Sequence, residues 1–212
     1  MTSRRYEQRL RAQSAEQTRR RILDAMYDQL PKIPSVDAVA RQAGVARSTV
    51  YLVFGSRAGL FDALLRDVSE RGGFADLVRA VRDPDPLTHL RGAILANTRI
   101  YGRQRDVLVA LRAEAAALEG ALERTEQGRL GGLEHLASRL AEHDLLAVPK
   151  DVAVDVLWML TGFEAFEALR TGRGLSVDAA AARLLATAER TLLRVPSPEG
   201  ARNEQSSRDV SA

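Results

Sequence analysis

No cysteine occurs among the 212 residues. That excludes disulfide staples, thiolate nucleophiles and sulfur-ligated zinc, and it suits a reducing compartment. No apolar run approaches the ~20 residues a membrane-spanning helix needs. The arginines near the amino terminus have no apolar segment behind them, so a secretory leader is not expected either. A cytoplasmic protein with no membrane partner is predicted. Aromatic residues make up only 5%, with a single tryptophan. Only Lys32 and Lys150 are lysines; every other cationic side chain is arginine.

Signatures of catalysis are missing as well. There is no GxSxG, no phosphate-binding P-loop and no GxGxxG. His89, His135 and His143 do not stand at metal-ligand spacing, so neither a metal nor another cofactor is expected. Glu164 and Glu167 lie three apart on an otherwise apolar helix and read as its exposed edge. No enzymatic activity is predicted.

What is present favours helices: Ala, Leu, Arg and Glu dominate, and 45% of the chain is hydrophobic. The charge is uneven. Residues 1–66 carry 12 basic and 6 acidic side chains, whereas residues 67–212 carry 19 and 22. A basic head on a weakly acidic body is the electrostatic footprint of a nucleic-acid-binding module.

Within that head, Val36, Val39, Ala40 and Ala43 repeat at helical spacing. Ser35 can cap the helix start, and Gly44 permits the positive φ of a tight exit. A second helix is predicted from Arg47 to Phe54 after a very short turn. Two short helices so joined form a helix-turn-helix, whose second member fits the DNA major groove. Upstream, Ser14–Gln17 has the form of a capping box that starts a helix with Ile22, Leu23, Met26 and Leu30 on one face, ended by Pro31. Residues 1–13 are read as a flexible basic arm, with extension of the first helix as the alternative. Ser56 can cap a fourth helix, Ala58 to Arg71, with Leu60, Phe61, Leu64, Leu65 and Val68 as its apolar stripe.

Residues 84–194 predict five more helices: Leu87–Arg103, Asp106–Leu118, Ala121–Asp144 kinked by Gly128, Gly131 and Gly132, Lys150–Arg170, and Val177–Arg194 capped by Ser176. The segment 195–212 is polar, bears Pro and Ser, and is expected to be disordered. The fold class is thus all-α with about nine helices. A three-helix helix-turn-helix DNA-binding domain over 14–71 precedes a larger helical domain over 72–194.

The stretch from Glu16 to Val68 resembles the DNA-binding domain of TetR-family transcriptional regulators. The resemblance rests on the amphipathic first helix, the V-x-x-V-A-R-x-A-G-V run from Val36 to Val45, S-T-V-Y-x-x-F from Ser48 to Phe54, and Ser-Arg-x-x-Leu-Phe from Ser56 to Phe61. Two departures stand out. Ala46 replaces the usual Ser or Thr cap of the recognition helix, forgoing roughly 1 kcal/mol. Leu52 and Val53 stand where polar or aromatic groups are frequent; they cannot hydrogen-bond bases and at most touch a thymine methyl.

The resemblance implies a homodimer on double-stranded DNA, reading an inverted repeat. It implies that Arg47, Ser48 and Thr49 face the bases, with Arg47 suited to a bidentate guanine contact. Tyr51 and Arg57 are implied phosphate contacts, with Ser35, Arg19 and Lys32 as further DNA-facing positions. It places the dimer interface on the last two helices, through Leu157, Leu160, Leu184, Leu185, Ala188 and Leu192. It also implies a pocket for a partly apolar small-molecule effector, with Trp158, Met159, Phe163, Phe166, Tyr101, Asn97, Thr98 and His89 as lining. A repressor released by that effector is the expected function; a helical dimer acting through protein partners is the alternative.

Overall fold

Ten α-helices and one 3-10 turn make up the described chain. The structure is a computed structural model that describes residues 2–194, with side chains from Tyr6 onward. The expected disordered tail, 195–212, lies outside the described residues, as do the side chains of Arg4 and Arg5.

Helix α1 (Thr2–Tyr27) begins thirteen residues earlier than the capping box predicts. Ser14 lies inside it, its carbonyl accepting from Thr18 Oγ1 at 2.9 Å. Residues 1–13 hold no Gly or Pro and are rich in Arg and Gln, so nothing local stops the helix. The flexible arm is thus corrected to a helical extension, its described side chains exposed as far as Gln17. The helix ends at Tyr27, four residues before Pro31.

Helices α2 (Val36–Ala43) and α3 (Arg47–Phe54) have the predicted bounds. Helix α4 (Arg57–Gly72) starts on Ser56, whose Oγ accepts from Gly59 N at 3.0 Å. Ile22, Met26, Val39, Val50, Leu60, Phe61 and Leu64 close the head core. This core does not stop at the head: Leu111, Leu118 and Ala121 of the following domain complete it.

The body departs more from expectation. Helix α5 (Phe74–Val81) has no counterpart among the expected helices, although Phe74, Leu77, Val78 and Val81 stand at helical spacing. Helix α6 (Pro86–Ala113) replaces two predicted helices. Its one non-helical residue, Gln104 at φ −108° and ψ 15°, makes a kink rather than a loop. The predicted end at Leu118 is a 3-10 turn, Ala115–Leu118. Helix α7 (Ala121–Glu142) runs through Gly128, Gly131 and Gly132 without the expected kink. Leu133, Leu136 and Leu140 anchor it in the body core, and the three glycines face open space.

The single predicted helix over 150–170 is two, α8 (Lys150–Leu160) and α9 (Phe163–Arg170), parted at Thr161–Gly162 where Gly162 is extended. Helix α10 (Val177–Leu192) starts on Ser176, whose Oγ accepts from Ala179 N at 3.1 Å. Together with α6, α7 and α8 it encloses Leu90, Ile94, Leu136, Leu157, Leu184 and Leu192. No helix among the described residues is long and apolar enough to cross a membrane.

Candidate nucleic-acid interface

The interface is organised on α2 and α3. Ser35 Oγ accepts from Ala38 N at 3.2 Å and fixes the start of α2. Gly44, at φ 64°, closes it by donating to the Ala40 and Arg41 carbonyls. Two residues later α3 begins on Ala46, which supplies no side-chain cap. Val50 is buried in the head core and holds α3 down. The opposite side of α3 is open: Arg47, Ser48 and Leu52 are exposed, and Thr49 and Tyr51 are half-buried.

Leu52 is 86% exposed, more than any other large apolar side chain described. It stands four residues after Ser48 and so on the same face of the helix. Hydrophobicity alone would assign it to the core; only its phase relative to Val50 and Ser48 marks it as outward. Val53, its neighbour, packs against the head core.

Arginines flank this face, and each is held. Arg47 Nη1 lies 3.0 Å from Asp37 Oδ2, and its Nη2 donates to the Tyr51 hydroxyl at 3.4 Å. Tyr51 first and Asp37 second raise the Arg47 pKa above its ordinary value. Both side chains of the pair are more than half exposed, so solvent screens the pair and it opens readily. Arg19 of α1 lies over the Phe54 ring, 4.9 Å from its centre. That contact brings the first helix to the end of α3. Arg57 lies over the Phe61 ring at 4.8 Å and pairs with Glu119 at 2.7 Å. Lys32 is exposed in the connection between α1 and α2.

The family model for bacterial regulatory proteins of the tetR family matches residues 35–64, which is this α2–α3 unit and the first half of α4. NalD of Pseudomonas aeruginosa, the secondary repressor of the MexAB-OprM multidrug efflux pump, has the same architecture. It superposes with a TM-score of 0.65 at 27% identity, over 87% of this chain and 100% of that one. Over residues 35–64 the chain is similar to the tetR-family DNA-binding region, and its fold is that of NalD. A TetR-like transcriptional regulator from Rhodococcus sp. RHA1 gives a TM-score of 0.53 at 23% identity, over 82% and 93% of the two chains. PfmR, a TetR-family transcriptional regulator from Thermus thermophilus, gives 0.55 at 16%, over 84% and 99%. These two support the fold alone. No curated protein matches the chain.

The residues expected to line an effector pocket do not gather in one place. Asn97 Nδ2 and the Tyr101 hydroxyl both donate to the Thr161 carbonyl, at 2.8 and 3.1 Å. That carbonyl is freed by the break between α8 and α9, so both side chains serve the break. Tyr101, Phe163 and Phe166 pack as a ring cluster with centres 5.4 to 6.1 Å apart. Trp158 lies under the Arg129 guanidinium, 3.7 Å from its ring centre. Arg129 also donates to the Trp158 carbonyl and to Thr161 Oγ1. Thr98 bonds back to the Ile94 carbonyl in its own helix. Met159 is 64% exposed and points away from the core. His89 is buried elsewhere, its Nδ1 accepting from Arg139 at 3.0 Å. Burial, and then Arg139, push its pKa down to about 4, so the ring is neutral.

The expected dimer residues differ in exposure. Leu157, Leu184, Ala188 and Leu192 are buried inside the single chain. They pack α8 and α10 against α6 and α7. Leu160 and Leu185 are half-buried. The apolar surface that α8 leaves open is instead Val152 and Met159.

Proposed function

We propose that this protein is a transcriptional repressor that binds an inverted-repeat DNA site as a dimer and is released by a small-molecule effector. The observation that carries the reading is the outward face of α3. An anchored helix presents Arg47, Ser48 and Leu52 to solvent, with Arg19 and Arg57 beside it. Arg47 has the fork geometry for guanine O6 and N7 once it leaves Asp37; Leu52 offers a methyl-sized apolar contact to thymine. Arg57, Arg19, Lys32 and the Tyr51 hydroxyl serve the phosphates, and Ser35 and Thr49 are in place as short polar contacts. NalD, a repressor with the same architecture, supports the repressor assignment.

Dimerisation is assigned to the outer faces of α8 and α10, through Val152, Met159, Leu160 and Leu185. A two-fold pairing of two helices from each protomer gives a four-helix bundle. The effector site is assigned to the α8–α9 break, where Tyr101, Trp158, Phe163 and Phe166 gather beneath Arg112 and Arg129. Effector entry there must displace the ring packing. By linkage, DNA then weakens effector binding by the factor by which effector weakens DNA binding.

Duplex from the region upstream of the gene provides the test, titrated at two salt concentrations with the protein and with Arg47→Ala. The protein is expected to bind with strong salt dependence. Arg47→Ala is expected to lose roughly 1–3 kcal/mol of discrimination at one base pair of each half-site. Equal binding of cognate and scrambled duplex by the unaltered protein contradicts the assignment.

A further inference from the structure

Arg57 opens α4, the helix that leaves the DNA-facing head and runs into the body. Its guanidinium is not open to solvent on all sides. The Phe61 ring supports it from below, and Glu119 Oε1 accepts its Nη1 hydrogen at 2.7 Å. Glu119 belongs to the body, at the corner between the 3-10 turn and α7. Its backbone is left-handed, φ 51°, a conformation L side chains rarely adopt. An outlier of that kind, held by its surroundings, points to use. One further side chain holds it. Arg124 of α7 donates to the Glu119 carbonyl at 3.0 Å, and also reaches Asp62, one turn into α4, at 2.8 Å. The corner therefore grips α4 at two places, and the acid end of the grip sits on the cation that the head would offer to DNA.

We propose that Glu119 is an intramolecular stand-in for a DNA phosphate at Arg57. A carboxylate and a phosphate oxygen compete for the same guanidinium hydrogens. While the corner is docked, Arg57 reaches a phosphate only by giving up Glu119. DNA binding and docking of the corner on α4 then oppose one another, and the body lowers the affinity of its own head. Any ligand that tightens the corner against α4 also weakens DNA binding, with no contact to the recognition helix.

This inference rests on the assignment of Arg57 to phosphate, and the test separates the two. A random-sequence duplex of about 30 base pairs serves as probe, because phosphate contacts carry no sequence information. Its affinity is measured over a salt series for the full chain and for Arg57→Ala, Glu119→Gln, the double variant, and Glu123→Gln. Glu123 is an exposed acid four residues further on, and its variant measures the general effect of removing a negative charge. Glu119→Asn, which suits a left-handed backbone, is a second probe of the same position. Thermal unfolding checks that each variant folds.

Glu119→Gln is expected to tighten binding about three- to ten-fold, since each protomer gives up one exposed ion pair before binding. Glu123→Gln is expected to do clearly less. In the Arg57→Ala background the effect of Glu119→Gln is expected to vanish. If Arg57→Ala weakens binding but Glu119→Gln does not tighten it, the competition is wrong and the phosphate role stands. If Glu119→Gln tightens binding equally with and without Arg57, the effect is long-range charge and the competition is again wrong. If Arg57→Ala changes neither affinity nor salt slope, the phosphate role fails and the proposal fails with it.

Discussion

Tyr27→Phe removes one oxygen atom, and the structure says where the loss falls. The Tyr27 hydroxyl, at the last residue of α1, donates to Gln104 Oε1 at 2.7 Å. Gln104 is the buried residue that kinks α6, 6% exposed. The bond therefore ties the head to the hinge of the body's longest helix. The Tyr27 ring keeps its place beneath the Arg71 guanidinium, 4.4 Å from its centre, so packing is little changed. A net hydrogen bond contributes ~0.5–1.5 kcal/mol, and a stranded buried acceptor costs ~1–3 kcal/mol. The expected loss is about 1–2 kcal/mol. For a chain of this size that lowers Tm by roughly 3–6 °C. Urea unfolding at fixed protein concentration measures it, with an unchanged m-value as the sign that only stability moved. Replacing both partners by apolar groups, Tyr27→Phe with Gln104→Met, is expected to recover much of the loss, because no orphaned acceptor remains. A loss below ~0.3 kcal/mol in the single variant, or strictly additive losses in the pair, refutes the claim that this bond holds the kink.

Leu52→Ala is expected to leave the melting temperature unchanged within ~1 °C, since an 86% exposed side chain contributes little burial. In DNA selection it should lose preference for a thymine at one position, and a drop in stability instead would place Leu52 in a contact the single chain does not have. His89 has a folded pKa of about 4 against an ordinary 6.5, so the unfolded chain binds the extra proton between those values. Stability from this group is complete above pH 6.5 and falls as pH drops toward 4, by on the order of 3 kcal/mol. His89→Gln, which can still accept from Arg139, should flatten that part of the stability profile in urea unfolding; an unchanged slope assigns the acid sensitivity to other groups.

The parts legible in the sequence are those whose cause is local. Ser35, Ser56 and Ser176 each cap the helix they precede, and Gly44 ends α2 because a left-handed residue is needed there. Val50 inward and Arg47 outward follow from helical phase alone. The rest is set by distant partners. Gln104 is non-helical where Tyr27 of another helix reaches it. The gap between α8 and α9 is stabilised by Asn97 and Tyr101, some sixty residues away. Glu119 carries no signal in the sequence, since its role depends on a corner that folds back onto Arg57. Interface residues are hard to read from sequence because an apolar helix face looks alike whether it meets a partner or its own chain. Leu157, Leu184, Ala188 and Leu192 meet their own chain.

The central claim is that the outward face of α3 reads duplex DNA twice, once from each protomer of a dimer. Selection of bound duplexes from a random pool, at a salt concentration that suppresses non-specific binding, tests it most directly. An inverted repeat is expected, with half-site centres separated by about 10 base pairs or a multiple of that. Each half-site should contain a guanine whose enrichment is lost with Arg47→Ala. Recovery of a pool with no enriched motif, or of one unrepeated site that Arg47→Ala leaves unchanged, contradicts the account.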